Sequence, residues 1–210
     1  MGKNERIRKQ IITPIFLVSY PHFDKPSSMP VDPGKEPKYE YDCTAIFNDT
    51  TKALDAKYSS KNAFTIEQIE QLIAEITKKV NGDFTPAKWN TPLKDGREKA
   101  GKKDAEVYVG SKFMRLKNAS RFVCLDINKK PLEVSDKNKC YGGMYGRAII
   151  TISDYNFNNG VGMGITNYLD AFQKIEDGEP LGGGGINAVE EFDDLSAEPA
   201  KAVSTLESLL

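Results

Sequence analysis

From Lys38 to Phe47 the chain alternates without a break: Tyr39, Tyr41, Cys43, Ala45 and Phe47 fall on one side, and Lys38, Glu40, Asp42, Thr44 and Ile46 on the other. A period of two is the signature of a half-buried antiparallel strand, and no helix can gather such a set onto one face. The same parity governs 138–154, NKCYGGMYGRAIITISD. Met144, Gly146, Ala148, Ile150 and Ile152 make one face, the core face, and Tyr141, Gly143, Tyr145, Arg147, Ile149 and Thr151 make the other. Glycines inside a strand weaken it unless they serve a bend or a close approach, so Gly142, Gly143 and Gly146 predict sharp coiling and space between Tyr141 and Tyr145.

Further strands are expected at Gln10 to Tyr20, with Pro14 marking an edge or bulge, at Ala105 to Val109, Lys112 to Lys117, Arg121 to Ile127 and Gly164 to Glu176. In Lys112 to Lys117, Phe113, Arg115 and Lys117 share one face, opposite Met114 and Leu116. One segment alone reads as a long helix. In Thr65 to Val80 the residues Ile66, Ile69, Leu72, Ile73, Ile76 and Val80 recur at helical spacing, Thr65 and Gln68 form a capping box, and Asn81-Gly82 is the stop. Residues 21–37 hold five prolines and predict an extended loop. A second loop is expected over 82–104; it carries Lys88, Trp89, Lys94, Arg97, Lys99, Lys102 and Lys103. Long basic loops seldom exist for packing alone. The fold class is therefore mainly β: an OB-fold-like antiparallel barrel with one amphipathic capping helix and long basic loops.

Charge divides the chain. Residues 1–175 hold 28 Lys+Arg against 21 Asp+Glu, whereas residues 176–210 hold 1 against 9, and the two cancel to the net −1 of the whole. A basic body with an acidic tail points to nucleic acid as the body's partner. The boundary is expected at Gly182 to Gly185, separating a domain over 1–181 from a flexible tail over 182–210, in which Glu190, Glu191, Phe192, Asp193 and Asp194 form the densest partner-contact or groove-competing segment.

Other chemistries are poorly supplied. The only histidine is His22, and Cys43, Cys124 and Cys140 have no CxxC spacing, so neither a metal nor a disulfide framework is expected and the cysteines read as small buried hydrophobes. GVGMGITN fails the G-x-G-x-x-G pattern, and no phosphate-cradling G-x-x-x-x-G-K-[ST] occurs. No cofactor and no enzymatic activity are expected. No apolar run approaches the ~20 residues of a membrane span, and the N-terminus lacks a signal-peptide core, so a cytoplasmic protein is expected. By residue type and placement, the candidate DNA-binding set is Tyr39, Trp89, Lys94, Arg97, Lys99, Lys102, Lys103, Phe113, Arg115, Lys117, Tyr141, Tyr145 and Arg147. Cations would neutralise phosphates and aromatics would stack bases without reading sequence; a duplex- or RNA-binding module would share the same basic groove, and a non-enzymatic adaptor of the replication machinery is the other alternative.

The order SYPHFDKP (19–26), GKEPKYEYDCTAIF (34–47), an amphipathic helix, NTPLKDGREK (90–99), DINKKPLE (126–133), CYGGMYGRAIITI (140–152) and GITNYLDAFQKIEDGEPLGGG (164–184) resembles a family of phage and prophage single-stranded-DNA-binding proteins. It is more distantly similar to the acidic-tailed single-stranded-DNA-binding proteins of short-tailed coliphages. The resemblance implies an OB-fold that coats single-stranded DNA in phage replication and recombination, with a tail that contacts replication or recombination proteins and competes with DNA. A homo-oligomer is compatible with it. One departure is that EEFDDL lies at 190–195 and the chain finishes STLESLL, without a terminal aromatic. Deleting residues 182–210 is expected to tighten binding of single-stranded DNA, most at low salt, where screening is weakest; a titration of the truncated chain showing equal or weaker affinity would refute the competing tail.

Overall fold

A computed structural model describes residues 6–29, 36–58, 62–83, 85–102, 104–157 and 162–181. In chain order the strands are β1 (Arg8–Ile12), β2 (Phe16–Met29), β3 (Lys38–Phe47), β4 (Trp89–Asn90), β5 (Leu93–Asp95), β6 (Lys112–Asn118), β7 (Val123–Leu125), β8 (Tyr145–Phe157) and β9 (Gly162–Glu176). Two helices, α1 (Asp49–Tyr58) and α2 (Ile66–Asn81), stand between β3 and β4. The strands form one sheet with the pairing path β4-β9-β8-β2-β3-β6-β5, to which β1 adds along β8 and β7 along β9.

Strand parity fixes the core. Met114 and Leu116 of β6, Ala148, Ile150 and Ile152 of β8, and Cys43, Ala45 and Phe47 of β3 are all buried, on the faces that the alternation selects. Phe172 of β9 packs against Phe16 and Phe23, and Phe16 meets Phe47 edge-on at 5.8 Å. Ile69, Ile73 and Ile76 of α2 join the same cluster. The expected cap is present: Thr65 Oγ1 accepts from the Gln68 amide at 3.3 Å, and Gln68 Oε1 accepts from the Thr65 amide at 2.9 Å. The three cysteines are free thiols packed on this core, and burial pushes Cys124 up to about 12.

Several sequence expectations need correction. A second helix, α1, is present; it buries only Thr51 and so carries no apolar stripe for periodicity to detect. Local capping marks it instead, because Asn48 and Thr51 exchange side-chain-to-amide bonds of 3.0 Å. The first strand divides at Thr13–Ile15, where Pro14 lacks an amide and the Thr13 hydroxyl and amide instead bond Ala148. The proline-rich segment is β2 as far as Met29, with Pro21 and Pro26 falling in register breaks between Ser19 and His22 and between His22 and Ser27. The basic loop contains β4, β5 and a 3₁₀ turn (Gly96–Lys99), Ala105–Tyr108 is a 3₁₀ turn rather than a strand, and β7 spans three residues pairing parallel to β9. Tyr141 precedes β8 instead of sharing its face.

The sheet does not close into a barrel by backbone pairing, since its path ends at β4 and β5. Where β6 and β9 face each other, side chains bridge the seam: Asn118 Nδ2 donates to the Leu169 carbonyl at 2.9 Å, and Asn167 Nδ2 to the Arg115 carbonyl at 3.0 Å. The tail beyond 181 lies outside the described residues.

The glycines before β8 serve close approach. A Cβ at Gly146 would sit 2.4 Å from the Phe172 ring, and one at Gly143, whose φ is +113°, would sit 1.9 Å from the Glu179 carbonyl oxygen. A Cβ at Gly142 would meet nothing nearer than the Tyr20 amide nitrogen at 3.6 Å. Gly143→Ala is therefore expected to lower unfolding stability by about 2–3 kcal/mol, and Gly142→Ala to be near neutral; urea denaturation of the two variants checks the contrast.

Candidate nucleic-acid interface

Outward-facing positions of β3, β6 and β9 line a groove of about 770 Å³ along the β6/β9 seam. The i, i+2 spacing of β6 puts Phe113, Arg115 and Lys117 in a row. Beside them β3 contributes Lys38, Glu40 and Thr44, β9 contributes Thr166 and Tyr168, and Lys94 and Lys99 arrive from β5 and the following 3₁₀ turn. Arg6 and Tyr155 complete the rim. The Tyr168 side chain is substantially exposed. Among the described residues no carboxylate pairs with Lys38, Lys94 or Lys99.

Two carboxylates of β3 treat the row differently. Asp42 is buried and accepts from Arg115 Nε at 2.7 Å and Nη2 at 2.6 Å through Oδ2, while its Oδ1 takes Ser27 Oγ at 3.0 Å and lies 2.8 Å from His22 Nδ1. Glu40 makes only looser ionic contacts, Oε2 at 3.3 Å from Arg115 and Oε1 at 3.5 Å from Lys117. Its buried Oε2 has no hydrogen-bond partner, so this contact is one of charge without an aligned donor. Arg115 is thus oriented by a fork onto Asp42, whereas Lys117 is held by charge alone.

A profile of the family described as Enterobacter phage Enc34 ssDNA-binding protein matches residues 9–203. The chain belongs to that family. The single-stranded DNA-binding protein of bacteriophage Enc34, solved in complex with ssDNA, is 25% identical and superposes with a TM-score of 0.55 over 82% of this chain and 89% of that one. A C-terminally truncated form of the Enc34 protein superposes with a TM-score of 0.53 at 25% identity, covering 82% and 88%. "Putative protein p50" of Acyrthosiphon pisum secondary endosymbiont phage 1 is 36% identical over 104 residues, 50% of this chain and 52% of that protein, so the chain spans about half the length of this relative.

In this member of the family the groove gathers Lys94, Lys99, Phe113, Arg115 and Lys117 from the sequence-derived set. Phe113 is nonetheless buried, edge-on to Tyr108 at 5.3 Å, with the Lys99 ammonium 5.0 Å above its ring. Tyr39 is exposed on β3 but does not line the groove. Trp89 packs on the main core, and its indole N–H donates to Thr77 Oγ1 at 3.1 Å. Exposed Arg97 folds back on half-buried Asp95 at 2.8 Å, which holds the Asp95 carboxyl down at about 2. Lys102 is exposed beyond that turn. Lys103 and the Glu190, Glu191, Phe192, Asp193, Asp194 segment lie outside the described residues.

The residues before and at the start of β8 are placed elsewhere. Tyr145 packs against the cluster of Leu17, Ile46, Tyr108 and Phe113, and Arg147 Nε donates to Gln173 Oε1 at 3.0 Å. The Tyr141 hydroxyl donates to Asp177 at 2.8 Å and accepts from the Gly178 amide at 3.2 Å. Lys38, Tyr155, Tyr168 and Arg6 were not singled out by sequence reasoning; for Tyr168 the missing signal was the parity of β9, which buries Ile165, Asn167 and Leu169 and turns Thr166 and Tyr168 outward.

Burial, followed by the Asp177 bond, raises Tyr141 to about 12. Because the folded value is the higher one, the stability tied to its neutral hydroxyl is complete below pH ~10 and declines as pH rises from there towards 12. Absorbance titration of wild type against Tyr141→Phe is expected to lose one phenol ionising near that value.

Proposed function

We propose that this protein coats single-stranded DNA without sequence preference in phage DNA replication and recombination, through the groove over the β6/β9 seam. The observation that carries the reading is the meeting of Lys38 and Lys94, which pair with no carboxylate among the described residues, with Arg115 and an exposed tyrosine (Tyr168) in one groove, in a chain whose family relative of 25% identity is solved with ssDNA bound. Cations along the groove neutralise phosphates, and each contact releases counterions, so affinity falls with salt. Tyr168, with Tyr155 at the rim, offers a ring face to a base, which suits any of the four. The protein acts by binding and needs no catalytic group, metal or cofactor. Its compartment is the cytoplasm of the host cell, and the acidic tail is its contact with replication or recombination proteins.

The test is a salt-dependent titration of a fluorescently labelled oligo-dT, repeated with duplex and RNA competitors. Lys94→Ala is expected to flatten the slope of log affinity against log salt by about 0.7. Tyr168→Ala is expected to cost ~1–3 kcal/mol of affinity with the slope unchanged, while Tyr145→Ala leaves affinity at the wild-type value. Preference for duplex or RNA, or parent-like binding by both groove variants, would overturn the reading.

A further inference from the structure

Glu40 is a carboxylate in the groove that the proposed function does not use, and a negative group there opposes the ligand. The register of β3 on β6 pairs Asp42 with Lys117 and Thr44 with Arg115, so the two cations reach their acids diagonally. Asp42 is satisfied by Arg115, Ser27 and His22 at 2.6–3.0 Å and is only 11% exposed in its side chain. That carboxylate is an anchor. Glu40 has the opposite character: it touches Arg115 and Lys117 at 3.3 and 3.5 Å, without a hydrogen bond at its buried Oε2. An anion bridging two cations at these distances stands where a phosphate oxygen would stand between the same groups, and its loose geometry makes it the easier of the two acids to displace.

We propose that Glu40 is a built-in phosphate mimic: in the DNA-free protein it contacts Lys117 and the Arg115 Nη2 that Asp42 also holds, and it is displaced by the backbone of the bound strand. This rests on the groove being the DNA site. Part of the gross binding energy is then spent breaking the Glu40 contacts, and Lys117 yields its full electrostatic gain only when Glu40 has let it go. The device weakens binding while keeping the lysine extended along the groove, which favours a strand that must be coated and later released.

The experiment titrates labelled oligo-dT into the full chain and its variants, with thermal unfolding confirming that each is folded. Glu40→Gln is expected to bind about three- to fivefold tighter at low salt, with a salt slope steeper by about 0.7 because no carboxylate is left to recapture a cation. Glu133→Gln removes an equal charge from a carboxylate that pairs with Lys139 outside the groove; its affinity is expected to stay within about twofold of wild type. Lys117→Ala is expected to cost about twofold in wild type and about fivefold in the Glu40→Gln background, and this non-additivity separates the mimic from a general charge effect. If wild type binds oligo-dT while Glu40→Gln binds no tighter, or the two Lys117→Ala losses are equal, Glu40 is not a mimic and the function stands. If wild type does not bind single-stranded DNA, the function fails and the mimic with it.

Discussion

Every backbone polar group taken out of water must find a partner, and the structure depends on how this sheet meets that demand where it does not close. β9 is paired by β4 at Met163 and Gly164 and by β7 at Ala171 to Gln173, and β6 is paired by β5 only as far as Met114. Between those points the two strands present edges to each other. Asn118 and Asn167 supply amide donors to the carbonyls of Leu169 and Arg115 in place of a ladder. The edges are thereby blunted against strand addition, and the outward side chains of both strands are kept far enough apart to leave a groove between them.

Upon that seam the alternation of β6 does two jobs with five residues. Met114 and Leu116 are completely buried, while Phe113, Arg115 and Lys117 line the groove. Opposite them β3 alternates too, and its acids at positions 40 and 42 meet the cations of β6 along diagonals of the sheet. Cross-strand pairing thus sets both the position and the strength of the groove's charge. Asp42 takes both Nε and Nη2 of Arg115 and so sets the direction of its guanidinium.

Much of this was legible in the sequence, because period-two alternation is a local signal with a long-range meaning. The core faces of β3, β6 and β8, the helix from Ile66 and its cap, and five of the groove residues follow from parity, helical spacing and charge. What was not legible depends on tertiary placement. α1 has no apolar stripe, and β2 carries prolines that look like loop residues until two register breaks accommodate them. Tyr141 and Tyr145 look like a stacking pair by spacing, yet one ends in a bond to Asp177 and the other in an apolar cluster, since the chain turns at Gly142 and Gly143 before β8 begins. The sheet stays open for a reason that composition does not carry, namely which edges the short β4 and β5 cover.

The position of Trp89 has a spectroscopic consequence. It is the only tryptophan in the chain, and it sits where β4 meets β9, its indole hydrogen-bonded to Thr77 near the end of α2 while its chain neighbour Asn90 lines the groove. Its emission therefore reports the integrity of the junction between helix and sheet.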